Sequence, residues 1–179
     1  MATDELIQKM IAGDPQAFEA VLFLYEKALF THLLRLTGSP DEAADLFQET
    51  CIRLYNKRAQ IDPTNNFKSW LYKIATNIAY DHFRKKKREK LIFLDDETEL
   101  ETIAEERSYT IEQEITGEDL EKALRGIRAH YRNILLLFYK EQFSYTEIAD
   151  MLQIPLNTVK THLRRAREEL GALLKKIYG

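Results

Sequence analysis

Residues 143–170 read FSYTEIADMLQIPLNTVKTHLRRAREEL. Ser144 and Glu147 have the spacing of a capping box, and Ile148, Ala149 and Leu152 give the helix that follows an apolar face. Residues 153–156 make a short turn, after which Asn157 caps a second helix. In that helix Val159, Leu163, Ala166 and Leu170 fall on one side at about 100° per residue. The opposite side carries Asn157, Thr161, Arg164, Arg165 and Glu168. Two helices across a short turn, the second polar and basic near its start, fit a helix-turn-helix reading a major groove. Arginine can pair with guanine or phosphate, and threonine with either. A plain helical hairpin with a charged exterior is the alternative.

The same punctuation runs through the rest of the 179 residues, which hold six Gly and four Pro. Asp14 before Pro15 starts a helix to about residue 37, because Pro suits a first turn whose amides are unpaired. Ser39 and Glu42, with Pro40 between them, start another to about residue 58. A third begins near Asn66, where Phe67, Trp70, Leu71, Ile74 and Ile78 recur at helical spacing. Further helices are expected over 118–130, 132–141, 144–152 and 157–176. The fold class is therefore all-α, as two small helical domains over 1–90 and 116–179, joined by an acidic linker over 91–115.

A net charge of −3 conceals three blocks. Residues 1–90 carry 14 Lys/Arg against 12 Asp/Glu, residues 91–121 carry 1 against 12, and residues 122–179 carry 11 against 5. Positive charge concentrates at 84–90 and 160–167, so two polyanion-facing surfaces are expected.

Two stretches of the first domain carry further chemistry. Over 41–55, DEAADLFQETCIRLY places Ala44, Phe47, Cys51 and Leu54 or Tyr55 on one face and displays Asp45, Gln48, Glu49 and Arg53, a stripe that could dock a protein helix. Over 67–88, FKSWLYKIATNIAYDHFRKKKR interleaves aromatics with basic and amide side chains, the chemistry that holds unstacked bases and tracks phosphates. The same aromatics at helical spacing also suit a core, so Trp70 and Phe83 have a structural reading too.

Several classes are excluded as expectations. The longest apolar runs are far short of the roughly 20 residues a membrane helix needs. The first residues lack a secretion signal, which points to an intracellular protein. One cysteine, Cys51, and four scattered histidines offer no disulfide or zinc spacing. A di-metal carboxylate enzyme needs Glu-x-x-His pairs, and Ile52 follows Glu49 at that offset. With no nucleophile pattern and no glycine-rich phosphate loop, no catalytic residue, cofactor, metal or small-molecule substrate is expected.

The stretches DEAADLFQET, FKSWLYKIATNIAYDHFRKKKR and FSYTEIADMLQIPLNTVKTHLRRAREEL, in this order, resemble a bacterial sigma-70-family initiation factor of the extracytoplasmic-function (ECF) group. The resemblance implies a cytoplasmic, nucleoid-associated protein that binds core RNA polymerase and promoter DNA, aids DNA opening, catalyses nothing itself and is commonly restrained by an anti-sigma factor. It implies that Asp45, Gln48, Glu49 and Arg53 meet the polymerase. It assigns Asn77, with Ile61 and Asn66, to an extruded base of the minus-ten element, Arg84, Lys85, Lys86 and Arg88 to phosphates, and Trp70 and Tyr72 to support of the opened strand. Asn157, Lys160, Thr161, Arg164, Arg165 and Arg167 take the minus-thirty-five element. A free-standing helix-turn-helix regulator is the rival reading, although it would need neither of the first-domain stretches.

Overall fold

The computed structural model describes residues 2–93 and 116–178, and among them every regular element is helical. α1 (Ala2–Ile11), α2 (Pro15–Thr37), α3 (Pro40–Lys57) and α4 (Phe67–Phe93) form the first domain, with a 3₁₀ turn at Arg58–Gln60. α5 (Gly117–Gly126), α6 (Ala129–Leu135), α7 (Tyr145–Leu152) and α8 (Leu156–Tyr178) form the second. A π-helical turn, Leu136–Lys140, extends α6.

The helix starts follow from the side chains in front of them. The Asp14 carboxylate accepts from the amides of Gln16 at 2.8 Å and Ala17 at 3.2 Å. Gly38 closes α2 in the left-handed region at φ 73°, where its amide reaches Leu34 O at 2.8 Å. Ser39 caps α3 through the Glu42 amide, but Glu42 does not return the bond. Its carboxylate is taken by His82, at 3.1 Å, and by Lys86, so only half of the expected capping box forms.

Four expectations need correction. α1 lies ahead of Asp14, where none was expected, and buries Ile7 and Met10 under the first domain. The helix expected over 118–130 breaks after Gly126, whose bare Cα lets Leu173 of α8 lie so close that a Cβ would meet it at 2.9 Å. On α3 the buried stripe is Ala43, Leu46, Thr50 and Leu54, while Ala44 and Tyr55 are exposed. Asn157 sits inside the first turn of α8 rather than at its cap. The expected linker is met only at its start, since α4 runs to Phe93; residues 94–115 lie outside the described residues.

In the first domain α2 packs between α1 and α3, and α3 packs on α4; in the second, α8 is the common support of α5, α6 and α7. The two cores join. α2 lies against α5 and α6, α4 lies against α7, and the buried apolar side chains form one cluster running from Ile7 to Ala166. At the junction, His32 Nε2 is 3.1 Å from Asn133 Oδ1, and the Asn133 amide donates to Tyr80 Oη at 3.1 Å. Burial drives the His32 pKa down to about 4, so the imidazole is neutral.

Arg132 reaches from α6 to the end of α2, donating to Arg35 O and Leu36 O at 3.3 and 3.0 Å. Its other terminal nitrogen takes Arg125 O and Ile127 O. One guanidinium from the second domain thus satisfies carbonyls that the last turn of α2 cannot pair within itself.

Candidate nucleic-acid interface

α7, its turn and α8 are built by local chemistry. Ser144 Oγ accepts from the Glu147 amide at 3.2 Å and the Glu147 carboxylate accepts from the Ser144 amide at 2.9 Å, a complete capping box. These bonds hold the Glu147 carboxyl below its usual range, the Ser144 amide most of all. α7 ends on Gln153 in the left-handed region at φ 55°, and the Ile154 amide bonds back to Ala149 O. Pro155 O then receives the first amides of α8, from Thr158 and Val159.

Ile148 and Met151 of α7 pack with Val159, Leu163 and Ala166 of α8 in the core, which turns the opposite side of α8 outward. Asn157, Lys160, Thr161, Arg164, Arg165 and Arg167 are all exposed there. Arg164 pairs with Glu168 at 2.5 Å, Arg167 lies 5.7 Å from the Tyr139 ring centre, and Arg165 touches Tyr131 Oη at 3.5 Å. The exposed Thr161 donates its hydroxyl proton to Asn157 O at 2.9 Å. Burial, then Arg165 and Arg128, push the His162 pKa down beneath this face.

α4 presents a second polar and basic surface. Asn77 and residues 84–88 are exposed. Arg84 pairs with Asp81 at 2.5 Å and Lys86 with Glu42, whose pKa those contacts lower, Lys86 foremost and then His82.

A profile described as "Sigma-70 region 2" matches residues 24–89, and one described as "Sigma-70, region 4" matches residues 117–170. The chain belongs to the sigma-70 family. It is 31% identical to the ECF RNA polymerase sigma factor SigW of Bacillus subtilis, over 99% of both chains. It is 26% identical to the RNA polymerase sigma-H factor of Pseudomonas aeruginosa, over 97% of this chain and 94% of that one. Among solved structures it is similar to the sigma factor RpoE of Bartonella quintana, in complex with the anti-sigma factor NepR. The TM-score is 0.70 at 30% identity, covering 88% of this chain and 96% of that chain. CnrH, in complex with the cytosolic domain of CnrY, shares the fold at TM-score 0.70 and 21% identity. The protein is an ECF sigma factor, a promoter-specific transcription initiation factor, and the free-standing regulator is not favoured. Its family is one of non-enzymatic initiation factors. No described helix is long and apolar enough to cross a membrane.

The sigma-factor fold separates the expected site residues into three groups. The minus-thirty-five set on α8 is together and exposed. The polymerase set on α3 is also together: Asp45, Gln48 and Glu49 are exposed, and Arg53 pairs with Glu49. The minus-ten set is divided. Asn66, Asn77 and residues 84–88 reach the surface, whereas Ile61 and Tyr72 are buried and Trp70 is half-buried, stacked on Phe67.

Sequence reasoning missed two features. Phe23 and Ile52 are 80% and 62% exposed on α2 and α3, with Leu24 and Tyr55 beside them in sequence terms. Ile52 was readable as an apolar residue off the buried stripe; Phe23, in a helix apolar on several sides, was not. The second is a row of polar contacts that the second domain makes to the start of α4. Asn66 Nδ2 and Ser69 Oγ donate to Glu147 Oε1 at 3.2 and 3.0 Å. The Tyr72 hydroxyl donates to Glu141 Oε2 at 2.7 Å, and Lys68 Nζ donates to Glu141 O at 2.8 Å. Burial and the Glu141 carboxylate both raise the Tyr72 pKa, so its proton stays in place.

Proposed function

We propose that residues 1–90 bind core RNA polymerase and the minus-ten element, residues 91–115 act as the connector, and residues 116–179 read the minus-thirty-five element. The observation that carries this reading is the exposed face of α8, six polar or basic side chains opposite a buried apolar stripe. Arg164 and Arg165 would take guanine edges or phosphates, and Asn157, Lys160, Thr161 and Arg167 the flanking contacts.

On the first domain, Asp45, Gln48, Glu49 and Arg53 meet a helical element of the polymerase, and exposed Ile52 adds the apolar contact that a polar stripe lacks. Asn77, Arg84, Lys85, Lys86 and Arg88 track the opened strand. A cleft of about 250 Å³ is lined by Tyr25, Asn65, Asn66 and Lys68 among others. Its amide lining suits one extruded base, whose removal from the stack costs a few kcal/mol that the contacts must return. Ile61, Trp70 and Tyr72, which are buried or half-buried here, take their base-holding and strand-supporting roles in a rearranged state.

The protein catalyses no reaction; the polymerase makes the RNA. Its place of work is the cytoplasm, on the nucleoid when in holoenzyme. Because the Bartonella quintana relative is described with an anti-sigma factor, one is a partner here as well.

The test is transcription from a bacterial promoter library by core polymerase with and without the protein. New starts sharing upstream elements are expected, and Gln48→Ala with Glu49→Ala should weaken core binding about tenfold, roughly 1.4 kcal/mol. No new starts and no core binding would overturn the reading.

A further inference from the structure

Tyr131 of α6 is buried, and basic side chains from α6 and α8 gather round its ring. The His130 and His162 ring centres lie 4.0 and 5.3 Å from that of Tyr131 and 5.7 Å from each other. The Arg128 guanidinium sits 4.6 Å from the Tyr131 ring centre, and Arg165 Nη1 is 3.5 Å from its hydroxyl.

His162 is the half-buried member of this cluster. Arg165 lies one turn along its own helix, and Arg128, His130 and Tyr131 face it from α6 and the residue before it. Glu169, farther along α8, is committed to Arg128, whose Nε donates to its carboxylate at 2.7 Å. Burial first, and then the Arg165 and Arg128 guanidinium groups, hold the His162 pKa below the ordinary 6.5. Among the described residues neither of its ring nitrogens has a hydrogen-bond partner. An imidazole between two guanidinium groups, with nothing bonded to its nitrogens, lacks an anion.

The place of the cluster says which anion would reach it. His162 is three residues before Arg165, hence about 60° round the helix from it. His130 is exposed beside them. The cluster therefore borders the polar face of α8 along one flank. A helix laid in a major groove has a sugar-phosphate backbone along its flank.

We propose that His130 and His162, together with Arg165, seat one backbone phosphate beside the minus-thirty-five element, and that His162 takes up a proton from solvent as the duplex docks. A protonated imidazole donates from both nitrogens, and the phosphate supplies an acceptor that the free protein lacks. Linkage is reciprocal, so a phosphate that favours the proton is itself favoured by it. The gain is complete below the pKa of His162 in the free protein, and is lost as pH rises through its higher pKa in the complex. This deepens the minus-thirty-five reading of α8 given above and rests on it.

The experiment uses holoenzyme, core polymerase carrying the full chain, on a promoter duplex selected in the transcription assay. Affinity is measured at fixed salt at about pH 7.5 and about pH 5.5, either side of the ordinary histidine pKa, for wild type and His162→Gln. The same measurement is made on duplexes in which single phosphates along the minus-thirty-five element are replaced by neutral methylphosphonate. The ratio of wild type to variant cancels the titration of the polymerase and of the domain junction, which both share. Wild type is expected to gain about tenfold over His162→Gln at the lower pH, the effect of about one unit between the free and bound pKa. Methylphosphonate at one position should abolish that gain. Should His162→Gln lose helix content by circular dichroism, the exposed His130→Gln decides on the same duplexes. Its expected loss at the lower pH is about threefold, absent at that same methylphosphonate position. Parallel pH curves for wild type and variant, or a gain that no single methylphosphonate removes, overturns the proposal. Holoenzyme indifferent to a scrambled minus-thirty-five element removes the underlying assignment of α8 instead, and a scrambled duplex scores that separately.

Discussion

α8 and α4 are the two long basic helices of this sigma factor, and they differ in what covers them. The polar face of α8 looks outward, and its arginines lie against Glu168, Tyr131 and Tyr139 of their own domain. The start of α4 is held by Glu141 and Glu147 across the domain junction. A surface that, as proposed for α8, reads duplex DNA can be left open at little risk, since duplex contacts are weak without the matching sequence. A surface of aromatics and donors suited to unpaired bases is less discriminating, because every base has a face to stack. Covering the second and exposing the first is a physically sensible division.

The strongest way to break that division is Arg132→Met. It leaves carbonyls at the end of α2 and in the 125–127 turn without their donor, and should cost about 3 kcal/mol. Urea unfolding is expected to separate into two transitions as the domains uncouple; one unchanged transition would mean that Arg132 is not what joins them.

Acid should act next. His32 is neutral when buried, with a pKa of about 4 against 6.5 when exposed. Glu141 on the second domain favours its proton, whereas desolvation, the dominant cause, and Arg35 and Lys68 oppose it. A depressed histidine pKa leaves closure intact above pH 6.5 and weakens it as pH falls from there through 4, by up to about 3 kcal/mol. The scattering radius should therefore grow across that window in wild type, and His32→Asn should flatten the growth. A radius constant down to pH 4 would show that the junction does not depend on this imidazole.

Arg165→Ala addresses the open surface and sharpens the contrast. It should lower initiation by tenfold or more at promoters that require a minus-thirty-five element, in line with about 1–3 kcal/mol for a base-directed arginine. Equal loss at promoters without that element would move Arg165 to a structural role on Tyr131. Ser144→Ala has the smallest expected effect, about 1 kcal/mol of stability from the lost α7 cap, read by thermal unfolding.

Much of this molecule was legible in its residues. Asp14, Ser39 and Ser144 announce helix starts by satisfying amides within three residues, so no distant partner is needed to read them. Val159, Leu163 and Ala166 mark the inner face of α8, and its outer face follows by exclusion. Where two registers were equally apolar, the pattern failed: Ala43 and Ala44 are chemically the same, and only packing against the rest of the domain chose Ala43 for the interior. α1 was missed although Leu6, Ile7, Met10 and Ile11 have helical spacing, because no cap or proline announces it.

The sequence alone determined that the protein is helical, that it has two domains, and which face of α8 is polar, because caps, turns and helical periodicity act over a few residues. Tertiary structure decided the partners of Glu42, which left its capping box for His82 and Lys86, and those of Asn66, Ser69 and Tyr72. It also decided that His32, Arg132 and Asn133 would be buried at one junction. Those contacts join residues 40 to 101 positions apart, and long-range pairing of polar groups leaves no periodic signature in the chain.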